Sequence, residues 1–190
     1  MGLRVIVVGI PGVGKTTVVD GVVSGLPGAK LVTFGSVMLE SARALGWVKN
    51  RDEMRKMPVE RQRRLQKIAA TRISKMKEKA VVVDTHLFIR TEEGFWPGLP
   101  SEVVRAMKPT HLVLVEASPE EIARRRSSDT SRYRDAVTVE GLAEELQLAR
   151  SFLTVSSTLT GAPMMIVKNA QGKQAETSLS VVRMLGKATG

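Results

Sequence analysis

The stretch that most limits what this chain can become is Gly9-Ile10-Pro11-Gly12-Val13-Gly14-Lys15-Thr16-Thr17. It fits the pattern G-x-x-x-x-G-K-S/T. It stands between Leu3–Val8, a short run rich in β-branched residues that reads as a buried parallel strand, and Thr16–Val23, which reads as a helix. A strand, a glycine loop and a helix in that order form a phosphate cradle. The glycines let backbone N–H groups converge on an anion, and the helix adds its positive end. In such a loop Lys15 bridges the outer phosphates of a nucleoside triphosphate, and the Thr16 hydroxyl ligates Mg²⁺.

The remaining elements alternate in type. Strands are expected at Leu31–Phe34, Ala80–Val83, His111–Val115 and Met164–Val167. Helices are expected at Ser36–Leu45, along the 51–80 block, at Pro119–Arg126, Gly141–Thr158 and Thr177–Leu185. A long loop with Gly94, Pro97, Gly98 and Pro100 leads through a short helix to the His111 strand. The alternation predicts an α/β fold of the P-loop NTPase type, a parallel sheet with helices on both faces, and a single domain spanning 1–190. At 190 residues, 43% hydrophobic and 25% charged, the chain has the composition of an ordinary globular protein.

Composition also removes several chemistries. With no cysteine there is no disulfide framework, thiol nucleophile or Cys-liganded zinc, and two histidines leave little for a His-based metal centre. No apolar run approaches the length of a membrane span, so a soluble, cytoplasmic protein is expected.

The net charge of +10 is concentrated in two blocks. Residues 51–80 hold eleven Lys or Arg against four Asp or Glu; residues 124–134 hold five Arg against one Asp. The first block reads as a helix with Leu65, Ile68, Ala69, Ile73 and Met76 on its apolar face. The second begins on a helix and runs into a polar loop. Arginine forks bind phosphate bidentately, so Arg125, Arg132 and Arg134 are candidates for a lid over transferring phosphates. Arg55 and Arg90 are candidates for holding an acceptor's phosphate. A magnesium-organising acid belongs at a strand end, where Asp84 and Glu116 both qualify; Asp84 is preferred because an apolar strand precedes it and a polar loop follows. Glu116 reads instead as a strand-end carboxylate opening the next helix. His86, on the loop after Asp84, reads either as a nucleotide contact or as a structural histidine.

Guanine-reading and switch motifs of GTPases are absent, and the chain is short for a helicase or motor ATPase. A small kinase fits best, because phosphoryl transfer between two anions needs many cations around it. A nucleic-acid-associated ATPase is the competing reading of the 51–80 block, although seven aromatics offer little for base stacking.

Taken in order, the glycine loop, Arg51-Asp-Glu-Met-Arg-Lys56, Asp84-Thr-His86, Pro97-Gly-Leu-Pro100 and Asp129-Thr-Ser-Arg132-Tyr-Arg134 resemble the archaeal type of adenylate kinase, from residue 4 to about 170. The resemblance implies MgATP + AMP ⇌ 2 ADP. It implies an AMP-binding segment over about 35–80 and a short arginine lid over about 127–138. Lys15, Arg125, Arg132 and Arg134 would stabilise the migrating phosphoryl group, and Asp84 would organise Mg²⁺ through water. Arg55, His86 and Arg90 would lie on the AMP side. The loop Asn169–Gly172 would back the adenine of ATP. A homotrimer is also implied. One departure is Ser36, where relatives often carry Asp. Another acceptor, a different nucleoside monophosphate or a small metabolite, stays open at this level.

Overall fold

A computed structural model describes residues 2–91, 93–128 and 138–187. In chain order the elements are β1 (Leu3–Val8), α1 (Lys15–Gly25), β2 (Ala29–Thr33), α2 (Phe34–Ala44), α3 (Arg51–Arg55), α4 (Val59–Ser74) and β3 (Ala80–Asp84). There follow β4 (Phe88–Thr91), β5 (Gly94–Pro97), α5 (Ser101–Met107), β6 (His111–Glu116), α6 (Pro119–Ser128), α7 (Val139–Thr160), β7 (Met164–Lys168) and α8 (Gln174–Lys187).

Five strands form one parallel sheet in the order β2-β3-β1-β6-β7. β1, β3 and β6 are shielded on both faces, which is why their sequences read as near-continuous Val, Ile and Leu. α1 and α8 pack together beside the sheet, and α4, α5 and α7 form another packed group. The chain leaves β1 for the outer strand β2, returns to β3 beside β1, and then crosses to β6. The C-terminal ends of β3, β1 and β6 therefore open around the crevice where ligands of parallel sheets bind.

Arg4 is the exception within β1. Its residue is 6% exposed, and its guanidinium donates to Ser74 O at 3.0 Å and Lys108 O at 3.1 Å. These carbonyls lie at the C-terminal ends of α4 and α5, where partial negative charge accumulates. The buried cation thereby ties two helix ends to the central strand.

Two expectations need correction. The basic block is not one helix: α3 ends at Arg55 and α4 starts after Pro58, which sits at φ −53°, ψ 143°. Proline lacks the N–H a continuous helix needs and pushes its predecessor out of the helical region. The segment before Pro100 is not a plain loop either. β4 and β5 pair as an antiparallel hairpin, with Ile89 opposite Trp96 and Arg90 opposite Phe95. Phe88 anchors it, meeting the Phe95 ring edge-on at 5.1 Å and the Phe152 ring of α7 at 5.6 Å. Pro97 is tolerated because it ends a strand of an isolated pair.

Most apolar side chains join one core around the sheet. A second, smaller cluster, Ala42, Val48, Met54, Met57 and Leu65 with Met38, Leu39 and Trp47 against it, is built from α2, α3, α4 and their connections.

Candidate functional site

The site is built on the end of β1. The loop from Gly9 turns back on itself, with the Val13 N–H donating to Ile10 O at 3.4 Å and the Val13 side chain buried. Gly14 then takes φ 79° immediately before α1, where a Cβ would also run into the Asn169 amide. Only glycine meets both demands. The first turn of α1 carries no acidic residue, so nothing on the helix itself neutralises its positive end.

Lys15 opens α1 and extends beneath the loop. Its ammonium is paired with Asp84 Oδ1 and donates to Thr85 O at 2.8 Å. The pairing follows from sheet register: Asp84 ends β3 directly beside Val7 of β1. Burial holds the Lys15 pKa below its ordinary value, and the Asp84 charge and hydrogen bond push it back up. Thr16 and Thr17 are exposed at the start of the helix.

The outer wall of the loop is made by α6. Arg125 Nη1 donates to Val13 O at 3.1 Å, its Nη2 to Asn169 O at 3.1 Å, and its Nε to Gln171 Oε1 at 3.3 Å. Arg126 Nε donates to Pro11 O at 2.9 Å, and its side chain lies against Gly12. Asn169, fully buried, donates Nδ2 to Val13 O at 2.8 Å, while its Oδ1 has no hydrogen-bond partner among the described residues. Its side chain thus braces the phosphate loop from behind, and its backbone N–H donates to Glu116 O at 2.7 Å. Glu121 accepts from the Gln171 N–H at 2.7 Å, which draws its pKa down and fastens the loop after β7 to α6.

The two acids considered for magnesium are separated by their partners. Asp84 meets Lys15. Glu116, 2% exposed, accepts a bidentate pair from Arg150 of α7 at 2.8 and 2.7 Å, and is committed to holding α7 against β6.

On the other side of the crevice, His86 is exposed in the loop after β3, whose backbone is crowded against Gly98; a Cβ there would overlap His86 O. Arg90 projects from β4 to Glu145 Oε1 of α7 at 3.4 Å. Arg55 stands apart on α3, exposed, with Asp52 at 3.3 Å. Arg132 and Arg134 lie outside the described residues.

Three participants were not singled out from sequence: Arg126, Glu121 and Glu145. Glu121 had a legible signal, since Ser118-Pro119-Glu120-Glu121 is a capping box; its backbone N–H donates to Ser118 Oγ at 3.2 Å. Glu145 had one too, a charge three residues after Leu142 on the apolar stripe of α7. Arg126 had none that separated it from its neighbours.

Comparison with known proteins bears on the family and the fold. A family described as an AAA domain matches residues 8–143. The chain is 40% identical over 183 residues to the adenylate kinase of Thermoplasma acidophilum, covering 96% of this chain and 98% of that one. It is 43% identical over 170 residues to the adenylate kinase of Methanocaldococcus jannaschii, covering 87% and 88%. Among solved structures, shikimate kinase from Acinetobacter baumannii in complex with shikimate superposes with TM-score 0.65 at 16% identity, covering 99% of this chain and 95% of that one. At that identity the likeness speaks for the fold alone.

Proposed function

The chain belongs to the adenylate kinase family, and from that premise we propose how its residues divide the work of ATP + AMP ⇌ 2 ADP. An AMP phosphate oxygen attacks the γ-phosphorus in line. The bond from that phosphorus to the β-bridging oxygen breaks, and one ADP forms on each side. The nucleophile is already ionised, so no general base is required.

The Lys15 ammonium, held at the mouth of the loop by Asp84, carries this reading. As ATP enters, backbone N–H groups of residues 9–17 other than Pro11, with the N-terminus of α1, receive its phosphates, and Lys15 transfers to the β- and γ-oxygens. Arg125, whose guanidinium already lies against the loop, joins Arg132 and Arg134 in neutralising charge on the migrating group. Arg90, His86 and Arg55 serve AMP, and Asn169 keeps the loop shaped while its backbone neighbours back the adenine. The Thr16 hydroxyl and Asp84 carboxylate are hard oxygen donors at the loop, suited to a cation that keeps several waters and takes one carboxylate. When bound with ATP, Mg²⁺ supplies offsetting charge to the phosphates.

The separate apolar cluster of α2, α3 and α4 supports an AMP-binding segment over about 35–80, and a short lid over about 127–138 belongs to the same reading. No described helix is long and apolar enough to cross a membrane, and a cytoplasmic homotrimer is our reading; light scattering should return three times the 20.7 kDa chain. A coupled assay with ATP and AMP tests the activity, using Lys15→Met as the blank. ADP above the blank, with CMP and UMP failing to replace AMP, is the expected result. No ADP above the blank would overturn it.

A further inference from the structure

We propose that Glu145 is a positioning residue for the acceptor nucleotide, holding the Arg90 guanidinium ready for its phosphate. The proposal rests on the reading of Arg90 as an AMP contact.

A carboxylate on the apolar stripe of α7, its side chain 8% exposed, is costly unless cations meet it. Arg126 already does so, with Nη2 3.1 Å from Glu145 Oε2 and a side chain 12% exposed. One guanidinium neutralises one carboxylate, so the buried charge is balanced without a second cation. Arg90 nevertheless reaches the other oxygen, Oε1, at 3.4 Å, from a different element.

The Arg90 side chain is 56% exposed, and a pair with one partner in water contributes little to folding. Its effect is on orientation. The guanidinium carbon also stands 6.0 Å from the centre of the Phe95 ring, directly across the hairpin. A ring on one side and a carboxylate on the other restrict a long side chain that otherwise samples many rotamers. Only Nη1 is engaged; among the described residues Nε and Nη2 make no hydrogen bond, which leaves a fork edge for a phosphate. The contacts Arg90–Glu145–Arg126–Pro11 O run unbroken from the hairpin to the phosphate loop, so the acceptor arginine is registered against the donor site. An arginine ordered in advance loses less freedom when AMP binds.

Steady-state kinetics with ATP and AMP varied separately test this on wild type, Arg90→Met, Glu145→Gln and the double variant. Arg90→Met is expected to raise the KM for AMP at least tenfold. Glu145→Gln is expected to raise it about 3- to 10-fold, with the KM for ATP within twofold, because Arg126 keeps its Pro11 carbonyl and the amide oxygen still accepts. The double variant should be no worse than Arg90→Met alone. Should Glu145→Gln fold poorly, Glu145→Asp keeps the charge, draws it back by one methylene and should give an intermediate rise. Parallel rises in both KM values, or effects that add in the double variant, overturn the proposal and leave Glu145 a brace of the fold. An unchanged KM for AMP in Arg90→Met removes the acceptor role of Arg90 and the proposal with it. An effect of Arg90→Met without one of Glu145→Gln or Glu145→Asp overturns this proposal alone.

Discussion

Lys15 answers two opposing demands, burial that disfavours its charge and a carboxylate that restores it. Its amine is charged only below its pKa, which burial places under the ordinary 10.5. As pH rises, kcat/KM for ATP should therefore begin to fall earlier than for an unburied lysine. Asp84→Asn removes both supports of the ammonium, and its alkaline limb should lie at lower pH still; a limb that stays or moves upward would contradict the pairing. Lys15→Met is expected to lower kcat by about 10²- to 10³-fold, its chief effect falling on turnover. Glu116 should behave in the opposite way. Glu116→Gln breaks the bidentate pair with Arg150 and should cost about 1–3 kcal/mol in urea unfolding, the half-exposed Arg150 keeping it from the upper range, while kcat changes little. The choice between these two acids was legible as a preference, because both end strands. Pairing across β1 and β3 puts Asp84, and not Glu116, beside Lys15, and pairing is a long-range property.

The central strands were legible almost to the residue and the long helices to within two or three residues at their ends, because β-branched runs and helical spacing recur where the chain is buried. β1, β3 and β6 all lie at or within one residue of their expected bounds. The hairpin β4–β5 escaped notice since its glycine and prolines read as loop punctuation, and its aromatic alternation becomes meaningful only with Phe152 behind it. Gly98→Ala should expose this dependence: its methyl group would displace the loop after Asp84, raising the KM for AMP several-fold with melting temperature lowered by a few degrees. Arg4 is a second case of an element fixed from afar. Arg4→Met should cost about 1–3 kcal/mol, read from the urea midpoint, because the Ser74 and Lys108 carbonyls lose a charged donor. Activity per folded molecule should be unchanged.

For the molecule as a whole, the proposed reading puts two nucleotides in one crevice, served by one set of cations. A ligand that fills both, diadenosine pentaphosphate, should raise the melting temperature far more than ATP or AMP alone. At a hundred times its Kd it stabilises by about 2.7 kcal/mol. Arg90→Met should weaken that shift, measured by calorimetry at equal ligand concentration. The net charge of +10 is used differently in its two blocks. In the first basic block, Arg61 and Arg64 lie over the Trp47 ring at 5.8 and 5.6 Å, while Lys67 and Arg72 meet Glu102 and Glu40. In the second, Arg125 and Arg126 turn inward onto the phosphate loop and Arg124 remains exposed. The sequence by itself determined the phosphate loop, the alternating α/β order and the two stores of positive charge, because each depends on residues close together in the chain. Which acid meets Lys15, which arginines reach the loop, and that Glu145 joins Arg90 to Arg126 were decided only by the tertiary structure. Those contacts join residues 19 to 115 positions apart, and only the packing of strands and helices brings them within hydrogen-bonding distance.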